Sequence, residues 1–327
     1  MIKDDYEFLN DYEIITQYST NNEKHPGSIG DRNNPQCRFY NHKSAIQTFY
    51  KKAHVAPEGI GNRRFISYYE CDVCNETFGN TIEDDFNKYL GPYRTIHQIK
   101  GKKGIPTYQP IRGEDRIEFD TETNSLLAKL QIDKVELDET NKILKLKTKT
   151  QPFRFVNVYK CLLKIALTII PEDELQYFDG SLKFLNNEGI YKEKLPVNIT
   201  NTGDRGIEYI EMYLFKRNNN ICKAPYILFL LRFKSLVFQT YLYINSKDIG
   251  KELTTYFLKE FVGSTYNKAT RINLDMNNND KRTDINETTF TFREIKDAPD
   301  FIKKKLVIPT NAHNQLFHPT AKTVRLF

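Results

Sequence analysis

The sequence lacks any apolar run approaching the roughly 20 residues that a bilayer-spanning helix needs. Its first residues also lack a basic stretch followed by an apolar one, so a secretory signal is not expected. A mean hydropathy of -0.60 and 28% charged residues are typical of a soluble globular protein, and a cytoplasmic location is expected. A chain of 327 residues has room for two domains at roughly 100–200 residues each.

Cysteine is scarce, with five in the whole chain. In a cytoplasmic chain of this size so few cysteines do not indicate a disulfide framework. Cys37, Cys71 and Cys74 nevertheless fall within 38 residues, and the last two form a C-x2-C pair. Cys161 lies in an apolar helical pattern and is expected to be a small buried hydrophobe.

The positive charge is unevenly distributed. Counting Lys and Arg against Asp and Glu, residues 1–30 carry -4, residues 31–110 carry +4 and residues 111–327 carry +6. A polyanionic partner is compatible with this balance, but the balance alone selects no function.

The chain reads as three segments. Residues 1–30 form an acidic, Tyr-rich arm with one short helix expected near residues 6–16, residues 31–105 form a first domain, and residues 106–327 form a mixed α+β domain. Hydrophobic periodicity predicts elements in that last segment: a strand at 143–150 with a lysine face, a helix at 155–170 that ends at Pro171, strands at 226–233 and 236–244 joined by a turn at Lys234-Ser235, and a helix at 252–261.

Residues 37–90 contain the most informative pattern. Residues 53–62 read Ala-His-Val-Ala-Pro-Glu-Gly-Ile-Gly-Asn, and residues 71–75 read Cys-Asp-Val-Cys-Asn. A helix-like run follows at residues 77–90, in which every fourth apolar side chain falls on one face. The members of this stripe are Phe78, Ile82, Phe86 and Leu90.

This ordered set resembles the HNH, or ββα-metal, endonucleases, and in particular the bacterial branch in which C-x-x-C pairs that bind zinc flank the nuclease core. The resemblance covers about a sixth of the chain and says nothing of residues 111–327. It implies an α+β protein with a ββα-metal core in residues 31–105. It also implies a Mg²⁺- or Mn²⁺-dependent endonuclease acting on DNA, with RNA as the other substrate left open.

The resemblance assigns roles to three residues. His54 matches the general base, which takes a proton from the water that attacks the phosphorus. Asn62 matches the asparagine that holds the loop carrying the histidine, and Asn75 matches the last position, which ligates the catalytic metal ion. Many family members also have a carboxylate immediately before the histidine, where this chain has Ala53. The candidates to replace it are Glu58, Glu70 and Glu83.

The zinc site of the resemblance is incomplete. A tetrahedral zinc needs four protein ligands, and Tyr40 stands where a fourth cysteine would complete the second pair. His42 is a candidate fourth ligand beside Cys37, Cys71 and Cys74. A degenerate site without zinc, or a different fourth ligand, stays open.

Basic side chains near this segment are expected to contact phosphates. They are Arg63, Arg64, Arg94, Lys100, Lys102 and Lys103. HNH domains fused to unrelated C-terminal regions resemble effectors of bacterial antiphage and restriction systems. The C-terminal segment is expected to bind a protein partner, a ligand, more DNA or a second copy of the chain.

One alternative belongs to another functional class. The chain could be a catalytically decayed HNH scaffold that binds nucleic acid or supports an assembly. Ala53 and Tyr40 favour this hypothesis, whereas His54, Asn62 and Asn75 favour the enzyme.

Overall fold

The computed structural model shows a mixed α+β protein. It describes residues 11–21, 27–39, 47–110, 115–138, 140, 143–188, 195–202, 206–219, 223–251, 270–275, 287–293 and 321–326. Within these ranges, no helix combines the length and the apolar character that crossing a membrane requires.

Six helices and fifteen strands lie within the described residues. The helices are α1 Asp72–Asn80, α2 Ile82–Leu90, α3 Pro92–Ile96, α4 Phe155–Ile169, α5 Glu172–Leu175 and α6 Asp179–Leu185. The strands are β1 Tyr12–Ser19, β2 Ser28–Ile29, β3 Ala53–His54, β4 Ile66–Ser67, β5 Arg116–Asp120, β6 Ser125–Gln131, β7 Val135–Asp138, β8 Ile143–Lys149, β9 Pro196–Asn201, β10 Ile207–Arg217, β11 Ile227–Lys234, β12 Leu236–Tyr241, β13 Thr270–Asp275, β14 Glu287–Arg293 and β15 Ala321–Leu326.

The chain forms two compact units that each combine distant segments. Unit 1 comprises Met1–Phe86 and Arg154–Arg282, and unit 2 comprises Asn87–Phe153 and Thr283–Phe327. This division differs from the boundaries predicted at residues 30 and 105. Most of the predicted first domain packs with a part of the chain that the sequence analysis assigned to a separate domain.

Unit 1 is built on a six-stranded antiparallel sheet with the order β1-β10-β11-β12-β9-β13. The two predicted strands near residues 226–244 are confirmed as β11 and β12. Lys234 takes a φ of 49° in the turn between them, as the predicted Lys234-Ser235 turn requires. Residues 227–231 of β11 are buried without interruption, as expected for a central strand covered on both faces.

The helix predicted at residues 155–170 is confirmed as α4. Every residue from Val156 to Ile169 is buried, so this helix lies inside unit 1 rather than on its surface. The Tyr159 hydroxyl donates a hydrogen bond to the Tyr241 carbonyl at 3.0 Å, which fastens α4 to the end of β12.

The secondary structure of the N-terminal arm differs from the prediction. A short helix was expected near residues 6–16, but residues 12–19 form β1, which pairs with β10. The β-branched and aromatic residues of Tyr-Glu-Ile-Ile-Thr-Gln-Tyr suit a strand, and pairing with β10 supplies the backbone partners that a lone arm lacks. Residues 6–10, like the helix predicted at 252–261, lie outside the described residues.

The helical run predicted at residues 77–90 is interrupted. It consists of α1 and α2, with a break at Thr81, whose hydroxyl donates to the Thr77 carbonyl at 2.6 Å. The predicted apolar stripe is nevertheless buried, since Phe78, Ile82, Phe86 and Leu90 are each at most 4% exposed.

Unit 2 contains two three-stranded antiparallel sheets, β15-β6-β5 and β14-β8-β7. The predicted strand at residues 143–150 is confirmed as β8, with Leu144 and Leu146 buried and Lys145 exposed. The core of this unit is formed by buried residues from both sheets and the preceding loop: Tyr108, Ile117, Leu126, Ala128, Leu130, Leu144 and Leu146.

Candidate functional site

The segment around His54 forms a short hairpin followed by a helix. β3 and β4 run antiparallel, with His54 opposite Ile66, and the Val55 amide donates to the Phe65 carbonyl at 3.0 Å. α1 begins shortly after β4. The local order is therefore strand, loop, strand, helix, with the histidine at the end of the first strand.

The loop between the two strands is held from inside by Asn62, which is 1% exposed. Its side-chain amide donates to the carbonyls of Ala56 and Phe65 at 2.8 and 3.0 Å, and its oxygen accepts from the Phe65 amide at 3.0 Å. A 3-10 turn at Glu58–Ile60 ends at Gly61, whose φ of 98° is accessible to glycine. This single side chain thus fixes the loop that leads away from the histidine.

The His54 ring faces the Glu58 carboxylate, and other nearby charges also act on it. Its Nε2 atom is 3.4 Å from Glu58 Oε1, and its side chain is 16% exposed. Nδ1 is buried and makes no hydrogen bond within the described structure. Burial lowers the pKa of His54; the Glu58 and Glu83 carboxylates oppose this, and the charges of Lys164 and Lys52 reinforce it. The neutral imidazole is therefore favoured.

Lys164 of α4 contacts the backbone of this histidine. Its Nζ atom donates to the His54 backbone carbonyl at 2.9 Å and lies 2.8 Å from Glu70 Oε2 and 3.1 Å from Glu83 Oε1. The side chains of Lys164 and Glu70 are both 0% exposed. Burial raises the pKa of Glu70 to about 7, against the attraction of Lys164. The cluster is a buried ion pair that extends to the partly buried Glu83 and includes the histidine backbone.

Lys164 was not among the predicted site residues. Residues 155–170 were interpreted only as an apolar helix, although a lysine between Leu163 and Ile165 interrupts that apolar run. A lysine that is fully buried is nearly always paired, but its partners lie about 80 to 110 residues earlier in the chain.

Three cysteines converge beside the hairpin. The Sγ atoms of Cys37, Cys71 and Cys74 all lie within 4.8 Å of one another, and those of Cys37 and Cys74 are 3.7 Å apart. With Zn–S bonds of about 2.3 Å, two sulfurs of a tetrahedral site are about 3.8 Å apart. The three thiols therefore fit as zinc ligands. The contact with Cys74 lowers the pKa of Cys37 to about 6, while the same contact raises the pKa of Cys74 and burial raises that of Cys71. Cys37 is therefore the thiol that most readily becomes the thiolate, the form that binds metal.

The predicted fourth zinc ligand, His42, lies outside the described residues, as does Tyr40 at the position of the missing cysteine. The C-x2-C pair spans the start of α1, since Cys71 precedes the helix and Cys74 lies in its first turn.

Arg38, next to the first cysteine, joins this region to α4. Its guanidinium stacks 3.5 Å above the centre of the Tyr69 ring and forms an ion pair with Glu172 at 2.5 Å. It also donates to three carbonyls at the C-terminal end of α4, those of Leu167, Thr168 and Ile170. Cations at this end of a helix meet orphan carbonyls and the negative end of the helix dipole.

The predicted ligands of the catalytic metal ion lie in different surroundings. Asn75 is half-buried in α1, and its backbone amide donates to the Cys71 carbonyl at 2.9 Å. Glu83 faces Lys164, whereas Glu58 faces the histidine ring.

The predicted phosphate contacts are divided between the two units. Arg63 and Arg64 are exposed in the hairpin loop of unit 1, while Arg94, Lys100, Lys102 and Lys103 belong to unit 2. Within unit 2, Lys102 and Lys103 are exposed at the tip of a tight turn that Gly101 and Gly104 close with reciprocal hydrogen bonds of 2.9 and 3.1 Å. Arg94 is half-buried in α3.

Comparisons of this chain with protein-family models, with curated proteins and with solved structures found no match. The functional interpretation therefore depends on the residues and geometry of the site itself.

Proposed function

We propose that the protein is a metal-dependent endonuclease that hydrolyses phosphodiester bonds of DNA, with His54 as general base. The observation that carries the proposal is the position of His54 at the end of a strand whose following loop is fixed by the buried Asn62. A base in a rigid hairpin can meet a phosphate in one defined geometry, which is the main requirement of phosphoryl transfer.

The site residues support the following reaction. His54 accepts a proton from water at Nε2, since Nδ1 is buried. As the proton leaves, the water oxygen forms a bond to phosphorus and the bond to the departing oxygen breaks. The Glu58 carboxylate, 3.4 Å from Nε2, stabilises the imidazolium that results.

A bound Mg²⁺ or Mn²⁺ would supply charge stabilisation at the phosphate and the departing oxygen. Such ions favour oxygen ligands, and the carboxylates near His54 satisfy that preference. We favour Glu58 over Glu83 as the acidic ligand, because an oxygen of Glu83 is already 3.1 Å from the Lys164 ammonium. Asn75 remains the second proposed ligand.

The test is cleavage of supercoiled plasmid by the full chain with Mg²⁺ or Mn²⁺, with and without EDTA. We expect His54→Ala to lower the rate by about 10² to 10⁴, the usual contribution of a general base. The matched control is His97→Ala, a half-buried histidine that stacks on Tyr93 in unit 2, which should cleave like the wild type. Equal metal-dependent rates for wild type and His54→Ala would refute the assignment.

The carboxylate is tested by Glu58→Gln and Glu83→Gln in the same assay. Glu58→Gln should need considerably more metal to reach a given rate, while Glu83→Gln should leave the metal dependence unchanged. A single-stranded RNA of matched length, run in parallel, decides between the two nucleic acids.

One specific observation favours the non-catalytic alternative. Ala53 replaces a carboxylate and is 1% exposed, so it offers no ligand and has little room for one. If the wild type cleaves nothing with either ion but shifts DNA in a gel, the decayed scaffold is the correct function.

A further inference from the structure

Lys164 is the most deeply buried cation near the proposed reacting histidine. Its side chain is 0% exposed, and removing a lysine ammonium from water is costly unless partners compensate. Here the compensation comes from two carboxylates and from one backbone carbonyl, that of His54. The lysine is thus hydrogen-bonded to the backbone of the residue proposed as general base.

The strand that carries His54 needs such support. β3 is two residues long and lies at the edge of a three-stranded sheet with the order β2-β4-β3, in which all three strands have only two residues, and pairings of this size have little independent stability. Hydrogen bonds from a charged donor are about twice as strong as neutral ones. The bond from Lys164 to the His54 carbonyl, at 2.9 Å, therefore adds a strong anchor at the strand end.

The carboxylate partners extend this anchor to the neighbouring elements. Glu70 lies between β4 and α1, and Glu83 lies in the first turn of α2. One ammonium group thus connects β3, the segment between β4 and α1, and helix α2. The cation comes from α4, which is 110 residues away from His54 in sequence.

We infer that Lys164 is a positioning residue that holds β3, and with it His54, in the geometry that the reaction needs. Both the hairpin and α4 are then required to form the site. The inference rests on the proposed function insofar as His54 is the reacting histidine. Loss of Lys164 should loosen the hairpin more than the rest of unit 1.

The same helix provides a matched control. Lys160 precedes Lys164 by one turn and is also buried, at 5% exposure. Its Nζ atom donates to Asn187 Oδ1 at 2.6 Å and lies 4.4 Å from the centre of the Phe184 ring. Lys160→Met therefore removes a buried ammonium of α4 without removing the bond to His54.

The experiment compares the full-length wild type, Lys164→Met, Lys164→Met/Glu70→Gln and Lys160→Met. The double variant is included because Lys164→Met alone leaves the Glu70 carboxylate buried without its cation and can fail to fold. Hydrogen exchange followed by mass spectrometry is measured on the peptide covering residues 52–58 and, as an internal reference, on the β11 peptide. Plasmid cleavage gives kcat and KM separately.

In the double variant we expect exchange at residues 52–58 to accelerate by roughly 10- to 100-fold, as loss of one charged hydrogen bond predicts. Exchange in β11 should stay close to the wild-type rate. kcat should fall by a similar factor with KM nearly unchanged, because the loss affects alignment rather than DNA binding. Lys160→Met should change neither the hairpin exchange nor kcat.

The outcomes separate this inference from the proposed function. Faster hairpin exchange in the double variant supports the positioning role even if the wild type shows no nuclease activity. Hairpin exchange equal to that of Lys160→Met overturns the positioning role, even if the wild type cleaves DNA and His54→Ala does not.

Discussion

At the scale of single residues, Asn62 shows how one side chain can organise a site. An asparagine has both donors and an acceptor, and all three hydrogen bonds at Asn62 go to the backbone of its own loop. Aspartate would lose the donors, and a longer glutamine would not fit the same three partners. The resemblance to HNH endonucleases implied that this residue holds the loop, and its position eight residues after His54 keeps the pattern local.

We predict that Asn62→Ala lowers the free energy of unfolding by roughly 2–4 kcal/mol. The truncation leaves buried backbone groups without partners, which costs about 1–3 kcal/mol for each unsatisfied group. Urea denaturation followed by circular dichroism measures the change. Asn80→Ala, at the exposed C-terminal end of α1, is the control and should stay within about 0.5 kcal/mol of wild type. Equal stabilities of the two variants would contradict the role of Asn62.

At the scale of elements, the cysteines connect the extended segment at residue 37 to the start of α1. α1 has no side-chain hydrogen bond at its N-cap, Cys71, so a metal at this end would fix the helix where local capping is absent. Arg38 then ties the same segment to the C-terminal end of α4. The hairpin region is therefore held by links to other elements in addition to the pairing of its short strands.

We predict that the purified chain carries about one zinc per molecule. Cys74→Ser should reduce the zinc content to background and lower the thermal midpoint by roughly 10 °C or more, because structural zinc binding contributes directly to folding. Elemental analysis and calorimetry measure the two quantities. Cys161→Ala removes a buried cysteine of α4 outside the cluster and should keep its zinc. A folded wild type without zinc would show that the three thiols are an unmetallated set.

At the scale of the whole molecule, the positive charge belongs to one unit. Unit 1 contains 28 basic and 28 acidic residues, whereas unit 2 contains 20 basic and 14 acidic ones, which accounts for the entire net charge of +6. The proposed nuclease residues lie in unit 1, and the turn that presents Lys102 and Lys103 lies in unit 2. The excess of basic residues and the proposed catalytic residues therefore belong to different units. The excess positive charge of unit 2 suits electrostatic attraction of a polyanion.

We predict that Lys102→Ala/Lys103→Ala weakens DNA binding and makes it less dependent on salt. Each lost phosphate contact should reduce the slope of log K against log salt by about 0.9, so the pair should reduce it by roughly 1.8. Fluorescence anisotropy with a labelled duplex at several salt concentrations measures the slope. The control Lys145→Ala/Lys147→Ala removes the same charge from lysines that already pair with Glu136, and it should change the slope less. Equal slopes for both variants would exclude a specific role of the turn.

The sequence alone determined those features whose residues are close together in the chain. The stripe of Phe78, Ile82 and Phe86, the helix α4 and the hairpin of β11 and β12 each depend on local periodicity and turn chemistry, so their patterns were visible without a structure. The Cys71–Cys74 spacing was equally local.

Only the tertiary structure decided which distant residues complete the site. Lys164 meets the His54 carbonyl across 110 residues and Arg38 meets the end of α4 across about 130, and no periodic pattern encodes such pairs. The strand at residues 12–19 has the same origin, because pairing with β10 overrode a weak local preference for a helix. The tertiary structure also gave the two chemically identical carboxylates different partners, since Glu58 faces the histidine and Glu83 faces a lysine. Only their surroundings distinguish them.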